Sequence, residues 1–241
     1  MTRPALGLWN VAGVHAGCEM AARANISLKE NGPPASRREE LADTVTSGAG
    51  IVLAIVGAAF LITQASQAGS VWHIVSCSIY AGTLIFLYTV STLYHSRCSP
   101  NAKFVFRILD HAGIFLLIAG TYTPFMLVNL RGAWGWSLLG IVWGIALLGI
   151  AFQAWLRRWP IARAALYVGM GWVALVAIKP LFAAVAPGGL ALLLAGSLAY
   201  SIGIGFFAWN RLPYHHAIWH VFVLLGSISH FLAICFYVIP A

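Results

Sequence analysis

The sequence predicts an all-α membrane protein, a bundle of seven transmembrane helices with a cytoplasmic N-terminus and an external C-terminus. Charged residues make up only 8% of the 241 residues, against about 25% in soluble domains. Hydrophobic residues make up 61%, and the mean hydropathy is +0.85. From residue 45 onward the chain divides into apolar runs of membrane-helix length. Basic residues lie almost entirely on one side of the resulting topology, which fixes the orientation.

Short connections that contain Gly or Pro separate the runs, as expected for antiparallel neighbours in one compact bundle. The fifth run is the shortest, and Arg163 lies near its start. The remaining N-terminal part contains the turn-forming stretch Asn31-Gly32-Pro33-Pro34. We therefore predict a disordered cytoplasmic tail over residues 1–38, in preference to a cleaved secretory signal, and one transmembrane domain over 39–241. The predicted runs are approximately 45–65, 72–95, 106–128, 134–156, 161–178, 190–209 and 216–238.

The positive charges predict the orientation, since short cytoplasmic loops carry an excess of Lys and Arg. Seven spans with a cytoplasmic N-terminus leave only Arg131 and Lys179 on the outer side. The formal charge of +8 is thus explained by membrane orientation, and we predict lipids rather than nucleic acid as partners. The inner side collects Arg3, Arg23, Lys29, Arg37, Arg38, Arg97, Lys103, Arg107, Arg157, Arg158, Arg163 and Arg211.

Two histidines at the start of the seventh run indicate a metal site. His216 and His220 are four residues apart, so both imidazoles lie on one helix face, about 6 Å apart along the axis. A catalytic zinc takes three protein ligands and keeps one open position. His95, at the end of the second run, and Asp110, near the start of the third, lie at the same predicted depth. The topology rests on Lys and Arg alone, so this convergence independently supports a zinc site at His95, His216 and His220.

Each of these residues also has an ordinary structural explanation. His95 alone would be an interfacial or capping residue, and Asp110 would complement the helix dipole. Ser91 precedes His95 by four residues and shares its face, where its hydroxyl would hold the imidazole or a bound water. A serine used for helix packing is the alternative. The shared depth of the residues from three helices favours a site.

The remaining histidines are not expected to bind the same ion. His230 lies ten residues beyond His220, about 15 Å farther along the helix. His73 lies at the other end of the second run, and His15 lies in the predicted tail. His111 and His215 are rotated by roughly 100° from their neighbours Asp110 and His216. We expect His111 and His215 to lie at the membrane interface or around the metal ligands.

Several motifs occur in one order along residues 39–238. They are Glu39-Glu40-Leu41, Ser91-Thr92-Leu93-Tyr94-His95-Ser96, Leu109-Asp110-His111-Ala112-Gly113-Ile114, Gly120-Thr121-Tyr122-Thr123-Pro124, and His216 and His220 with Ser229-His230. These motifs resemble those of the hemolysin III family, the bacterial branch of the progestin and adipoQ receptors, within the superfamily that includes alkaline ceramidases.

The resemblance implies a seven-helix bundle in the bacterial inner membrane. It also implies zinc held by His95, His216 and His220, and Asp110 beside the metal-bound water. The sequence departs from the family in one segment: many relatives have Asn and a Thr-His pair before the first span, where this chain has Asp43 and Thr46-Ser47.

The predicted function is a zinc-dependent hydrolase of membrane lipid amides or esters, acting in lipid homeostasis. Three neutral imidazoles and an open position lower the pKa of bound water to about 7. Asp110 would take the proton of this water, while Ser91 would orient it or steady the oxyanion. The acyl chain would lie within the bundle.

Two alternatives are a receptor-like or regulatory membrane protein with structural zinc and a cytolytic pore, as the family name suggests. No run shows the polar face that a pore favours. Retinal binding is disfavoured because the seventh run has no lysine for a Schiff base. Haem is disfavoured because His216 and His220 share one face.

Overall fold

The computed structural model describes residues 36–96, 99–156 and 158–240. Over these residues the regular structure is helical, with seven helices long and apolar enough to cross a membrane. The predicted number of spans and the all-α class are therefore confirmed. Most of the predicted tail, residues 1–35, lies outside the described residues.

The helices follow one another with short connections. Their bounds are α1 Arg37–Gln67, α2 Val71–Ser96, α3 Pro100–Pro124 continued by a π-helix Phe125–Asn129, α4 Ala133–Ala151, α5 Gln153–Leu156, α6 Pro160–Gly171, the 3-10 turn Val173–Ala177, α7 Ile178–Ala184, α8 Pro187–Ala208 and α9 His215–Tyr237. The fifth span is made of α6, the 3-10 turn and α7, while α8 and α9 form the sixth and seventh spans.

Helix α1 begins eight residues before the predicted first run and one residue before the predicted end of the tail. Ser36 forms a capping box with Glu39: the Ser36 hydroxyl accepts from the Glu39 N–H, and the Ser36 N–H donates to the Glu39 carboxylate at 2.8 Å. Such a cap satisfies the free N–H groups of a first turn. Hydropathy marks only the apolar part of a helix, so it missed this polar start.

The fifth span is longer than predicted and is broken in its middle. The chain leaves the α-helix at Gly171 and resumes it at Ile178, which frees backbone groups within the membrane. Tyr122 of α3 bonds two of them. Its hydroxyl donates to the Gly171 carbonyl at 2.8 Å and accepts from the Ala174 N–H at 3.0 Å. A broken helix is tolerated in a membrane where neighbouring groups satisfy its backbone in this way.

Close packing of α2 against α3 is permitted by glycines on α3. A Cβ at Gly113 would lie 2.9 Å from the Leu87 side chain, and one at Gly120 would overlap Thr83. Small residues allow such close approach of membrane helices. Helix α1 packs against both α2 and α9, so the start of α1, the end of α2, the start of α3 and the start of α9 meet at one end of the bundle. We call this end the site end.

Candidate metal centre

His95 of α2 and His216 and His220 of α9 form a compact cluster at the site end. One ring nitrogen from each histidine lies within 4.8 Å of the others, and His95 and His220 are buried. The Nε2 atoms of His95 and His216 are 3.1 Å apart. Among the described residues, this is the one group of three or more His, Cys, Asp or Glu side chains close enough to hold an ion. The convergence of three helical positions therefore agrees with the sequence-based expectation.

The other ring nitrogens of two of these histidines face hydrogen-bond acceptors on α1. The His95 Nδ1 atom lies 3.3 Å from a Glu40 carboxylate oxygen and 3.4 Å from a carboxylate oxygen of Asp43. The His220 Nδ1 atom lies 3.2 Å from the Asp43 carbonyl oxygen and 3.1 Å from the Thr46 hydroxyl. A carbonyl oxygen only accepts, as does an ionised carboxylate, so both imidazoles carry their proton on Nδ1. Their Nε2 lone pairs are directed toward the cluster.

This donor arrangement fits a metal ion. Without an ion, the close approach of His95 and His216 requires a proton between the two Nε2 atoms. A divalent cation takes the place of this proton and is bound by the lone pairs. Neutral imidazole is a common ligand for zinc, and a hydrogen bond from its other nitrogen fixes the required tautomer. The three histidines would hold the ion.

Asp110 and Ser91 lie next to this cluster. Asp110 on α3 is 8% exposed, and it lies beside the Ser91 hydroxyl and close to the His95 and His111 rings and the Arg163 guanidinium. The Ser91 hydroxyl is also 3.5 Å from the His220 Nε2 atom. The three histidines form the ligand group without Asp110, which leaves its carboxylate available for another role.

The histidines outside the triad occupy other positions. His230 is buried, and its ring stacks on Tyr200 with centroids 5.4 Å apart. His73 lies at the opposite end of the bundle, with Nε2 at 3.2 Å from the Val238 carbonyl oxygen. His111 bonds to the Arg107 carbonyl at 2.7 Å through Nδ1, and the His215 ring is 6.3 Å from that of His216. None of the four is in the ligand group.

The contacts of Glu40 and Asp43 with the histidines were not predicted from the sequence. Glu40 and Asp43 are three residues apart on α1, and Thr46 follows three residues after Asp43. These polar side chains therefore share one helix face. This spacing was a usable signal that polar residues of the first span face the site. The contacts of Asp43 and Thr46 also give the segment that departs from the family pattern a place in the structure.

Arg163 is one of the basic residues that the charge bias assigns to the cytoplasmic side. The structure buries it, with 3% of its surface exposed, close to Asp110. It lies one turn before Tyr167, whose hydroxyl donates to the His111 carbonyl at 3.0 Å. The fifth span therefore supplies a buried positive charge to the site end.

An apolar cavity of about 520 Å³ begins one helical turn deeper than the site. Leu87 and Ile114 line it, and they lie four residues from Ser91 and Asp110 on the same helix faces. Trp219 and Val223, on either side of His220 in sequence, line it too. Its volume is within the roughly 300–1,000 Å³ of small-molecule sites.

The sequence model of the haemolysin-III-related family matches residues 35–231. Hemolysin-3 of Bacillus cereus is 47% identical to this chain over 204 residues, covering 84% of this chain and 93% of that protein. The hemolysin-3 homolog of Bacillus subtilis (strain 168) is 44% identical over 201 residues, covering 83% and 94%. Human monocyte to macrophage differentiation factor is 27% identical over 203 residues, covering 81% and 83%.

Proposed function

The chain belongs to the haemolysin-III-related family, and from this premise we propose that it is a membrane-embedded zinc enzyme that hydrolyses an amide or ester bond of a membrane lipid. In this proposed function the protein lies in the bacterial inner membrane, with the N-terminus and the site end toward the cytoplasm. The observation that carries it is the meeting of three histidine nitrogens with Asp110 and Ser91, one helical turn from residues that line an apolar cavity.

Zinc is proposed because the ligand set consists of three neutral imidazoles. Three protein ligands with an open fourth position are typical of catalytic zinc, whereas structural sites are closed by four protein ligands. When bound in this way, zinc activates water for hydrolysis near neutral pH.

Asp110 is the proposed general base. Its carboxylate lies close to the triad without belonging to it, so it would accept the proton of the attacking water and return it to the leaving amine or alcohol. The positive charge of buried Arg163 attracts this carboxylate and helps to hold it in place.

Ser91 is the proposed donor to the oxyanion. Its hydroxyl lies between the Asp110 carboxylate and the His220 Nε2 atom, next to the position where a substrate carbonyl would be attacked. A donor placed at the developing negative charge stabilises the transition state.

The apolar cavity supports a lipid as the substrate. Its lining begins one turn from Ser91 and Asp110, so a hydrocarbon chain in the cavity would bring the adjoining amide or ester carbonyl to the site. The chain of a membrane lipid already lies in hydrocarbon, so an apolar lining can accept it by van der Waals packing, without the exposure of polar groups.

A regulatory membrane protein with structural zinc is the second candidate function. It is favoured because an ion bound by the three histidines would link α2 to α9, and Asp43 of α1 contacts two of these histidines, His95 and His220. Lysis of cells is a third candidate role, because the Bacillus relatives are named hemolysin-3. It would be measured as the release of dye from vesicles that contain the purified protein.

The test of the proposed function is a comparison of lipid products. Purified wild-type protein, Asp110→Asn and His220→Ala are each added to bacterial membrane lipid extract, and free fatty acids and the matching lysolipids or amines are quantified by mass spectrometry. We expect products with the wild type alone.

The control for the histidine variant is His215→Ala, a change of the same type on the same helix outside the ligand group. It should retain product formation. Equal product levels with the wild type and His220→Ala would reject the hydrolase and favour the regulatory role, provided that the wild type contains zinc.

A further inference from the structure

Asp43 contacts two of the three candidate metal ligands at once. Its carboxylate oxygen lies 3.4 Å from the His95 Nδ1 atom, and its carbonyl oxygen lies 3.2 Å from the His220 Nδ1 atom. Asp43 is a carboxylic acid within a membrane-spanning helix, and only 3% of its surface is exposed. A buried carboxylate is unfavourable unless it is paired, so its position between two imidazoles needs an explanation.

The second carboxylate at His95 belongs to Glu40, one turn earlier on α1. Its Oε2 atom is 3.3 Å from the His95 Nδ1 atom, and its other oxygen pairs with the Lys103 ammonium. Lys103 thereby orients Glu40 from α3. The single N–H of His95 Nδ1 thus faces two carboxylates.

The level of α1 relative to α2 is fixed by a separate set of hydrogen bonds. The Thr92 hydroxyl of α2 donates to the Ser47 hydroxyl at 3.0 Å, and the Ser47 hydroxyl donates to the Asp43 carbonyl at 2.7 Å. These bonds place the Asp43 carbonyl and carboxylate at the depth of the triad.

We infer that Asp43, assisted by Glu40, is a positioning residue of the metal centre: it fixes both His95 and His220 in the Nδ1–H tautomer and so keeps their Nε2 lone pairs available for the ion. The inference rests on the proposed metal site. It adds a role for the first span, which supplies none of the three ligands but determines how two of them bind.

The physical reason is the tautomer equilibrium of a neutral imidazole. An imidazole with its proton on Nε2 has no lone pair there and cannot bind the ion through that nitrogen. A carboxylate at Nδ1 holds the proton on Nδ1 and makes Nε2 more basic. The negative charge of Asp43 and Glu40 also stabilises a dication nearby.

One atom of Asp43 adds an independent observation. Among the described residues, its Oδ1 atom is buried without a hydrogen-bond partner. A buried polar atom that lacks a partner is uncommon and unfavourable. The residue is therefore poorly explained as a contribution to folding, and well explained as a group that orients the two histidines.

The experiment measures zinc affinity rather than turnover. The full chain is purified in detergent, stripped of metal with a chelator and titrated with Zn²⁺ against a chromophoric chelator of known affinity. Asp43→Asn keeps the size of the side chain and the backbone carbonyl at His220 but removes the charge at His95, and Glu40→Gln removes the second charge there. The variants therefore test the carboxylates at His95. We expect Asp43→Asn to weaken zinc binding by about 10- to 100-fold. Glu40→Gln should have a smaller effect, and the double variant should have the largest.

The matched control is Glu39→Gln. Glu39 is a carboxylate on the same turn of α1, but it bonds to Ser36 and to the Tyr214 N–H at 3.2 Å instead of to a histidine. The Glu39→Gln variant should bind zinc with the same affinity as the wild type. The visible spectrum of the Co²⁺-substituted protein is recorded as well, because it reports ligand geometry, which a purely structural role of Asp43 would leave unchanged.

Wild-type zinc affinity in both Asp43→Asn and the double variant would overturn the inference while the metal site stands. If the wild type binds no zinc, the metal site itself fails, and the two failures are therefore distinguishable. If Asp43→Asn does not fold, Glu40→Gln decides: unchanged zinc affinity and an unchanged Co²⁺ spectrum would count against the inference, and weakened binding would support it.

Discussion

The Nε2 atoms of His95 and His216 lie 3.1 Å apart, on residues 121 positions apart in the chain. Two lone pairs repel at this distance, so the contact persists only with a proton or a cation between them. We expect protein purified without added metal to contain one zinc per chain by elemental analysis. A three-histidine site retains its ion through purification.

His216→Ala should lose the metal and lower the thermal stability in detergent, because metal binding and folding are coupled. His215→Ala, the neighbouring change outside the ligand group, should keep one zinc per chain. A wild-type stoichiometry near zero, with no other transition metal present, would contradict the metal centre.

The orientation of the bundle is the second prediction. The bias in positive charge predicts a cytoplasmic N-terminus, and seven spans then predict an external C-terminus. Alkaline phosphatase, which is active only outside the cytoplasm, should be active when fused after Ala241. A fusion at the start of the chain serves as the control and should be inactive. The reverse result would place the site end on the outer face.

The third prediction concerns the packing of α2 against α3. Gly120→Ala introduces a methyl group that overlaps Thr83, whose hydroxyl is already bonded to the Tyr80 carbonyl at 2.8 Å. Overpacking of this kind typically costs about 1–3 kcal/mol, so the melting temperature in detergent should fall. Gly82→Ala is the matched control, because Gly82 is exposed and a Cβ there meets nothing within 4 Å. Equal melting temperatures for the two variants would contradict this account.

The sequence predicted the parts of the fold that depend on hydropathy and the parts of the site that depend on helix periodicity. Seven spans follow from apolar length, and the meeting of His95 with His216 and His220 follows from spacing and depth. The break between Gly171 and Ile178 was not predictable in this way, because it depends on Tyr122 of another helix. The contacts of Asp43 were not predicted because the apolar run that marks the first span begins at residue 45, two residues after Asp43.

The fourth prediction tests whether the cavity holds the hydrocarbon chain of the substrate. Ser197 of α8 lines the cavity, so Ser197→Phe should fill part of its volume and raise KM for long-chain lipids. Leu198→Phe adds a similar ring at an adjacent residue that is 42% exposed on the outside of the bundle, and it should leave KM unchanged. Zinc content, measured in both variants, should equal that of the wild type. An unchanged KM in Ser197→Phe would remove the cavity from the proposed function.

The last prediction separates a base from a ligand. Asp110 lies close to His95 and beside Ser91, but outside the group of three histidines. Loss of a ligand empties a metal site, whereas loss of a general base leaves the site filled and slows the reaction by about 10²- to 10⁴-fold. Asp110→Asn should therefore keep one zinc per chain and lose product formation to that extent, while His216→Ala should lose both.

Zinc content and rate must be measured on the same preparations, with Ser91→Ala as a comparison that keeps both the ligands and the base. This variant should also keep its zinc, with a smaller loss of rate, because one oxyanion donor contributes about 10²- to 10³-fold. If Asp110→Asn loses zinc as completely as His216→Ala, Asp110 is a fourth ligand. The centre is then closed to water, as structural zinc sites are, and the regulatory role replaces the hydrolase.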